Sequence, residues 1–437
     1  MKKTMLVLGI LCSAMLSVST APTVHAETIS EAVAYLLKAH PELRSQSYNR
    51  LARDQEVLQA KAGYLPTIDV VAGAGVERQH QPFYDTAWPT TTTISLRQNV
   101  FRFFGTQSEV ERQEARVRSQ AYLLHASSEN TALMGTKVYL NVLRNQRLYE
   151  LSKENLVNHQ RIYDQVKLRS ESGVDKKADF DMVSGRMSLA QSNVIAGYAN
   201  LLDAKTDYQS IIGHLPGNLV VPASAEAALP ASQDDAERLA IAANPTLMSA
   251  KADLEARNSQ HKTAKSQIYP SIDVAMNYKW TNDVDIPGRR EGFQAMAFIT
   301  FNIFNGGWNK SRLSQTAYEI REAEEIMSNT KRQTVQSIRL SWEAYRAVKE
   351  RVAYLEEYVK SAQSTADAYA AQWSIGRRTM FDLLDTQAEA INAKASLENA
   401  RFDKLYAEYR VLNGISKLVP HLGQKLPDQA HVAKAAE

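Results

Sequence analysis

Two short stretches of the chain combine a glycine with an acidic residue at the same spacing. Gly173 is followed six residues later by Asp179, and Gly376 is followed six residues later by Asp382. A glycine permits a tight reversal between helices, and an acid is favoured in the first turn of the helix that follows. Thr379-x-x-Asp382 predicts a capping box in which Asp replaces the usual Glu. The two aspartates could therefore attract cations or cap the helices that follow them.

The stretch after the second glycine carries two further charges of interest, Asp385 and Arg378. Asp385 follows Asp382 by one helical turn on the same face, where capping does not explain it. Arg378 has no basic counterpart at the matching position after Gly173, so the two turns are chemically complementary. An ion pair between Arg378 and Asp179 is one reading, and a solvated surface arginine is the other.

The sequence lacks the motifs that are typical of enzymes. It contains no His-Glu-x-x-His, no Gly-x-Ser-x-Gly and no Walker loop, and its histidines have no metal-ligand spacing. The formal net charge of +3 argues against a nucleic-acid partner, which would require a strongly basic face. We therefore predict no enzymatic activity, no catalytic residue, no cofactor and no metal site.

The first 26 residues have the features of a secretory signal peptide. Lys2 and Lys3 precede an apolar run over residues 5–18, and Val24-His25-Ala26 matches a small-x-small cleavage site. The single cysteine, Cys12, follows Leu11 rather than the small residue of a lipoprotein signal, so we expect no lipid anchor. No later stretch is an apolar 18-mer, so an exported chain would enter a membrane only as β-strands.

The rest of the chain contains an internal repeat of about 200 residues. Residues 60–70 recur as 264–274, residues 99–101 as 302–304, and residues 208–213 as 409–414, always in the same order. The predicted organisation is a leader at 1–26, repeats at 27–213 and 234–416, a linker at 214–233 and a tail at 417–437. Taken locally, the tail has the composition of a disordered terminus.

Each repeat contains one predicted β-hairpin, at 67–101 and at 271–305. Apolar and polar residues alternate along each strand over about ten residues, the length of a tilted membrane-spanning strand. In the first hairpin the apolar set includes Val100, and in the second it runs on to Phe301 and Ile303. An ordinary soluble hairpin remains the alternative for either one alone.

Long helical segments follow the hairpins. Residues 107–171 contain no proline and a single glycine, and residues 309–373 contain neither, which predicts two helices of ~97 Å. Residues 30–64, 176–212, 234–267 and 379–413 predict four shorter helices of about 35 residues. A seam of apolar residues with 4-3 spacing runs from Val348 to Trp373 and predicts a coiled coil. Helices of this length exclude a compact globule.

Four strands cannot close a membrane barrel, and an open sheet edge is forbidden in lipid. Several chains must therefore combine their strands. Two chains give eight strands and a filled interior, whereas three give twelve and a passage. The strand count alone leaves both alternatives open.

The duplicated plan, the Tyr-Leu-Pro and Ile-Tyr-Pro entries to the hairpins and the stretch from Trp373 to Asp385 resemble the TolC family of outer-membrane factors. The resemblance covers essentially the whole mature chain. It implies a mixed membrane protein with two internal repeats per chain: a homotrimer whose 12-stranded outer-membrane β-barrel, four strands per chain, continues into a long periplasmic α-helical barrel. It also implies that the linker and tail wrap the middle of the helices.

The same resemblance implies a function and a gate. The chain would be the outer-membrane exit duct of a tripartite system for type I protein secretion or efflux, in contact with outer-membrane lipid. Its partners would be a periplasmic adaptor protein and an inner-membrane ABC or proton-driven transporter. The entrance residues would be Asp179, Arg378, Asp382 and Asp385, between the turns at Gly173 and Gly376.

Trp373 stands where the family has a tyrosine, and its indole donates a hydrogen bond but accepts none. It is therefore either part of the entrance latch or only a packing residue. For the whole chain, an elongated coiled-coil adhesin without a pore is the rival interpretation.

Overall fold

The computed structural model describes residues 26–79, 85–172, 176–282 and 288–431. The leader other than Ala26, Gly173 and the end of the tail lie outside the described residues. The helices are α1 Ile29–Ala39, α2 Pro41–Ala62, α3 Gly105–Glu171, α4 Lys177–Ile212, α5 Gln233–Ala243, α6 Pro245–Ser266, α7 Trp308–Ser374, α8 Met380–Gly414 and α9 Leu418–His421. The strands are β1 Ala26–Glu27, β2 Thr67–Ala74, β3 Glu77–Gln79, β4 Asp85–Ala87, β5 Thr90–Phe101, β6 Asn218–Leu219, β7 Ser271–Asn282 and β8 Arg289–Thr300.

The two long helices, α3 and α7, confirm the prediction. Each has 67 residues, or ~100 Å at 1.5 Å per residue. Helices α4 and α8 also agree with the predicted ranges 176–212 and 379–413 to within one residue. None of the helices within the described ranges is both long and apolar enough to cross a membrane.

Two of the predicted 35-residue helices are wrong, because each is two helices. The first breaks between α1 and α2 at His40, and the second breaks between α5 and α6 at Asn244; both residues have extended backbones. Pro41 and Pro245 follow them and begin the next helix. The proline ring disfavours helical geometry at the residue before it, while its fixed φ suits a first helical position.

The two hairpins combine into one antiparallel sheet with the order β2-β5-β7-β8. The central pair, β5 and β7, joins the first hairpin to the second in continuous register from Thr90 opposite Asn282 to Asn99 opposite Asp273. β2 pairs with β5 and β8 pairs with β7. Among the described residues, the outer sides of β2 and β8 have no strand partner.

The register places apolar residues on one face of this sheet. That face carries Ile68 and Val70 from β2, Ile94 and Leu96 from β5, Val274 and Met276 from β7, and Phe293 and Ile299 from β8. The other face is mainly polar, with the row Asp69, Ser95, Asn277 and Gln294 across all four strands. Met296 and Phe298 are apolar exceptions on that polar face.

The predicted faces need two corrections. A bulge between Asn99 and Phe101 displaces Val100 from the ladder, so Phe101 rather than Val100 lies opposite Ile272 on the apolar face. An inserted residue shifts the alternation by one. β8 ends at Thr300, so Phe301 and Ile303 belong to the connection that leads into α7.

The helices pack side by side in two tiers. Next to the sheet, α3 packs against α2 and α6, and α6 packs against α7. At the far end, α3 packs against α4 and α8, and α8 packs against α7. The far tier therefore has the order α4-α3-α8-α7, with α4 and α7 at its edges.

The N-terminal segment, the linker and the tail cover the middle of the long helices. Tyr139 of α3 donates a hydrogen bond to the backbone carbonyl of Glu27 or of Val220, both 2.8 Å away. Glu129 of α3 accepts the N–H groups of Leu418 and Val419 at 3.2 and 3.3 Å. The expectation of a disordered tail is thus wrong up to residue 431, because α9 packs against α3 and α8 with Leu418 and Val419 buried.

Candidate functional site at the helix tips

The ends of four helices meet around one apolar cluster at the tip far from the sheet. Its buried members are Ile162 and Val166 from α3, Val183 from α4, Trp373 from α7, and Met380, Leu383 and Leu384 from α8. Residues 375–379 form the turn that joins α7 to α8 beside this cluster. The described residues that the sequence predicted for the entrance lie between α7 and α8, in the last turn of α7, or in the first two turns of α4 or α8.

Asp382 forms the predicted capping box. Thr379 Oγ1 accepts the N–H of Asp382 at 3.2 Å, and Asp382 Oδ2 accepts the N–H of Thr379 at 3.3 Å. This pair starts α8, so a structural role for Asp382 is confirmed. Asp385 is exposed one turn later, and among the described residues it has no ion-pair partner. Its carboxylate remains available to ions in solution.

Gly376 reverses the chain between α7 and α8 with a positive φ of 74°. Its N–H bonds to the carbonyl of Trp373, and the N–H of Arg377 bonds to the carbonyl of Gln372, both at 2.9 Å. These bonds satisfy carbonyls that the end of α7 leaves open. The matching turn at Gly173 falls outside the described residues.

Arg378 and Asp179 are not brought together within one chain. The guanidinium of Arg378 donates to Gln372 at 3.0 Å and lies 4.1 Å from the ring centroid of Tyr369. Asp179 is half-buried in the first turn of α4, and within the described ranges no ion pair joins it to Arg378. Arg378 is therefore held against its own helix α7.

The side chain of Trp373 packs in the apolar cluster, with only 9% of its surface exposed. Its ring also faces the guanidinium of Arg169, whose carbon lies 5.3 Å from the ring centroid. Trp373 thus lies both in the apolar cluster and against a cation from the other long helix.

The sequence profile of the outer membrane efflux protein family matches residues 33–214 and 238–413. The chain belongs to this family. It is similar to the outer membrane efflux protein BepC of Brucella suis biovar 1 (strain 1330), with 24% identity over 404 residues, covering 92% of the chain and 88% of BepC.

Two further proteins are similar to this outer membrane efflux protein. The outer membrane protein TolC of Escherichia coli (strain K12) is 22% identical over 423 residues, which cover 90% of the chain and 83% of TolC. The crystal structure of the Campylobacter jejuni CmeC outer membrane channel superposes with a TM-score of 0.79 at 13% identity, covering 89% of the chain and 86% of CmeC. That likeness shows that the two proteins share a fold.

Buried and paired carboxylates hold the middle segments of this outer membrane efflux protein in place. Burial raises the pKa of Glu129 to about 7, although its two backbone N–H partners oppose the shift. Glu226, in the linker, bonds to Lys349 of α7 at 2.5 Å and to Lys404 of α8 at 3.1 Å. These two lysines lower the pKa of Glu226 to about 2.

Sequence reasoning missed Arg169, Glu129 and Glu226. Arg169 lies 204 residues from Trp373, and neither spacing nor composition links the two. Glu129 lies within a long helix whose other acids are half-buried or exposed, so only its position beneath the tail distinguishes it. Among the described residues, no group of three potential metal ligands occurs at the tip or elsewhere.

Proposed function

We propose that three copies of this outer membrane efflux protein form a continuous exit duct. Their sheets would close into a 12-stranded outer-membrane barrel, and their helices would extend it into the periplasm. The observation that carries the proposal is a sheet with one apolar face, whose two outer edges lack a strand partner in the part of the chain that the structure describes, continuous with two ~100 Å helices. In lipid each unpaired edge needs a partner strand, and β8 of one copy can supply it to β2 of the next.

The helical edges support the same closure. Tyr318, Ile326, Leu340, Tyr354 and Tyr358 are exposed apolar residues along α7, which forms an edge of both tiers. Their spacing keeps them within one face of the helix. Such a stripe marks an interface rather than a solvated surface. Three copies rather than two are favoured because twelve strands leave a passage, whereas eight strands enclose only side chains.

The duct is proposed to open at the tips. In a closed ring, α7 of one copy would lie beside α4 of its neighbour, because these helices form the two edges of the far tier. Arg378, just after α7, would then meet Asp179 in the first turn of the neighbour's α4. An exposed ion pair contributes only ~0.2–1 kcal/mol, but the contributions of the three pairs in a ring sum. Asp382 and Asp385 would complete the entrance with six carboxylates.

The partners we propose are a periplasmic adaptor and an inner-membrane transporter, either ABC-type or proton-driven. A duct whose polar sheet face carries side chains of many kinds has no chemistry that selects one cargo. Selection therefore belongs to the transporter. Affinity purification after cross-linking in whole cells tests this part, and the expected result is recovery of one adaptor and one transporter.

The assembly is tested by extracting the full chain from outer membranes and measuring its mass by native mass spectrometry. We expect a detergent-dependent trimer that conducts ions in planar bilayers. A chain that purifies as an elongated monomer without detergent would instead support the coiled-coil adhesin.

The latch is tested by single-channel recording of Arg378→Ser, Asp179→Ala and the double variant. Each single change should raise conductance or open probability, and the double variant should add nothing further, because both changes remove the same bond. Lys177→Ser, which removes an exposed charge two residues from Asp179, is the matched control. Unaltered currents in both single variants would contradict the latch.

A further inference from the structure

The contact between Arg169 and Trp373 joins the two long helices directly. Arg169 lies in the last turn of α3, and Trp373 lies in the last turn of α7. The guanidinium carbon is 5.3 Å from the ring centroid, within the range of a cation–π interaction. The contact therefore bridges the α3/α4 hairpin and the α7/α8 hairpin at the end of the molecule.

The surroundings strengthen this contact. Trp373 is buried among Val166, Val183 and Leu383, so its ring lies in a poorly hydrated setting. A cation over an aromatic face is held more tightly when water is excluded, and tryptophan is the aromatic ring that binds cations best. The indole has no hydrogen-bond acceptor, so a basic side chain can bind it only through the face of the ring.

We propose that the cation–π contact of Arg169 with Trp373 holds the two hairpins together in the closed tip, and that opening of the entrance breaks it. The proposal rests on the proposed duct. A ring of twelve helix ends widens if the two hairpins of each chain move apart, and this contact joins those two hairpins. Arg169 and Trp373 are positioning residues here, because they fix helix ends and need not touch cargo.

The test must separate the attraction of the ring for a cation from its packing. Replacing Trp373 with tryptophan carrying one, two or three ring fluorines weakens the negative face stepwise while the shape is nearly kept. Single-channel open probability should rise with each fluorine, by about tenfold for the trifluorinated ring. A purely structural tryptophan would give the same open probability throughout the series.

Two variants show whether Arg169 is the cation involved. Arg169→Gln should raise open probability about as much as full fluorination, and in this background the fluorine series should have no further effect. Lys167→Gln removes an equal charge from an exposed position two residues away, and there the fluorine series should keep its full effect. A fluorine series that is equally steep in Arg169→Gln would overturn the pairing.

A measurement that does not depend on ion conduction shows whether the Arg169–Trp373 contact is absent or the proposed duct is wrong. The fluorine-19 resonance of 5-fluorotryptophan at position 373, in detergent-solubilised full chain, should shift in Arg169→Gln and not in Lys167→Gln. If the wild-type chain conducts no ions but the resonance shifts, the duct is wrong and the contact stands as a clamp between hairpins. If the chain conducts ions and the resonance is the same in the wild type, Arg169→Gln and Lys167→Gln, the proposed contact is wrong.

Discussion

At the scale of single residues, Asp382 combines a structural role with a proposed functional one. Its carboxylate closes the capping box with Thr379, whereas Asp385 one turn later is exposed. The geometry of the cap explains Asp382 but gives no reason for a second acid. A pair of carboxylates per chain, repeated three times around a constriction, would attract cations.

We expect the proposed pore to be cation-selective and blocked by multivalent cations from the periplasmic side. Replacing both Asp382 and Asp385 with alanine should abolish the block, measured as current reduction in planar bilayers. Thr379→Ala is the control, because it removes the cap and keeps both carboxylates. A block that survives the double replacement would leave Asp382 with its capping role alone.

Glu129 gives a pH-dependent prediction about stability. Its pKa in the folded protein is about 7, above the ordinary 4.5, so the stability it contributes is complete below pH 4.5 and is lost as the pH rises through 7. Glu129→Gln should therefore stabilise the protein at pH 8, by about 3 kcal/mol, and have little effect near pH 4.5. Thermal unfolding followed by circular dichroism at the two pH values measures this difference.

The matched control for that experiment is Glu357→Gln on α7, where the side chain is exposed. It should leave the melting temperature unchanged at both pH values. If Glu129→Gln is destabilising at pH 8 as well as at pH 4.5, the carboxylate is a needed acceptor for Leu418 and Val419, and burial is not the dominant effect.

At the scale of elements, the reversal between α7 and α8 depends on backbone geometry. Gly376 has a positive φ, which a residue with a Cβ adopts only at a cost of roughly 1–2 kcal/mol. Gly376→Ala should lower the free energy of unfolding by about that amount and loosen the tip. Gly185→Ala in α4 is the control, because a Cβ there meets no atom within 4 Å and alanine favours helix by ~1 kcal/mol.

Denaturant titration compares the two variants. The expected result is opposite signs, with Gly376→Ala less stable and Gly185→Ala at least as stable as the wild type. Equal stability of Gly376→Ala and the wild type would mean that the turn can adopt another conformation, in which the positive φ of residue 376 is not needed.

At the scale of the whole molecule, the apolar stripe along α7 predicts the oligomeric state. Tyr354 is 79% exposed in the single chain. If this stripe packs against a neighbouring copy, Tyr354→Glu places an unpaired carboxylate in three interfaces at once, and each one is costly to bury. We expect monomers to replace trimers in native gels run in mild detergent.

Ala353→Glu is the matched control, since it adds the same acid at an exposed position one residue away, rotated by about 100° from the stripe. It should leave the trimer intact. A Tyr354→Glu chain that still runs as a trimer would show that the α7 stripe faces water or another protein.

The sequence by itself determined the elements that depend on local rules. Two long helices without proline, the period-2 strands and the capping box at Thr379 each follow from interactions within a few residues. The same rules predicted the reversal of the chain at Gly376. The proline rule also applies at His40-Pro41 and Asn244-Pro245, where each predicted uninterrupted helix is wrong.

Only the tertiary structure decided which distant residues meet. The register of β5 against β7 joins residues more than 170 positions apart, and its bulge exchanged Phe101 for Val100 on the apolar face. The order α4-α3-α8-α7 set the edges of the far tier, and the covering of Glu129 by the tail raised its pKa. Arg169 reached Trp373 because two ~100 Å helices end at the same level. Such contacts depend on the packing of whole elements, which no short stretch of sequence encodes.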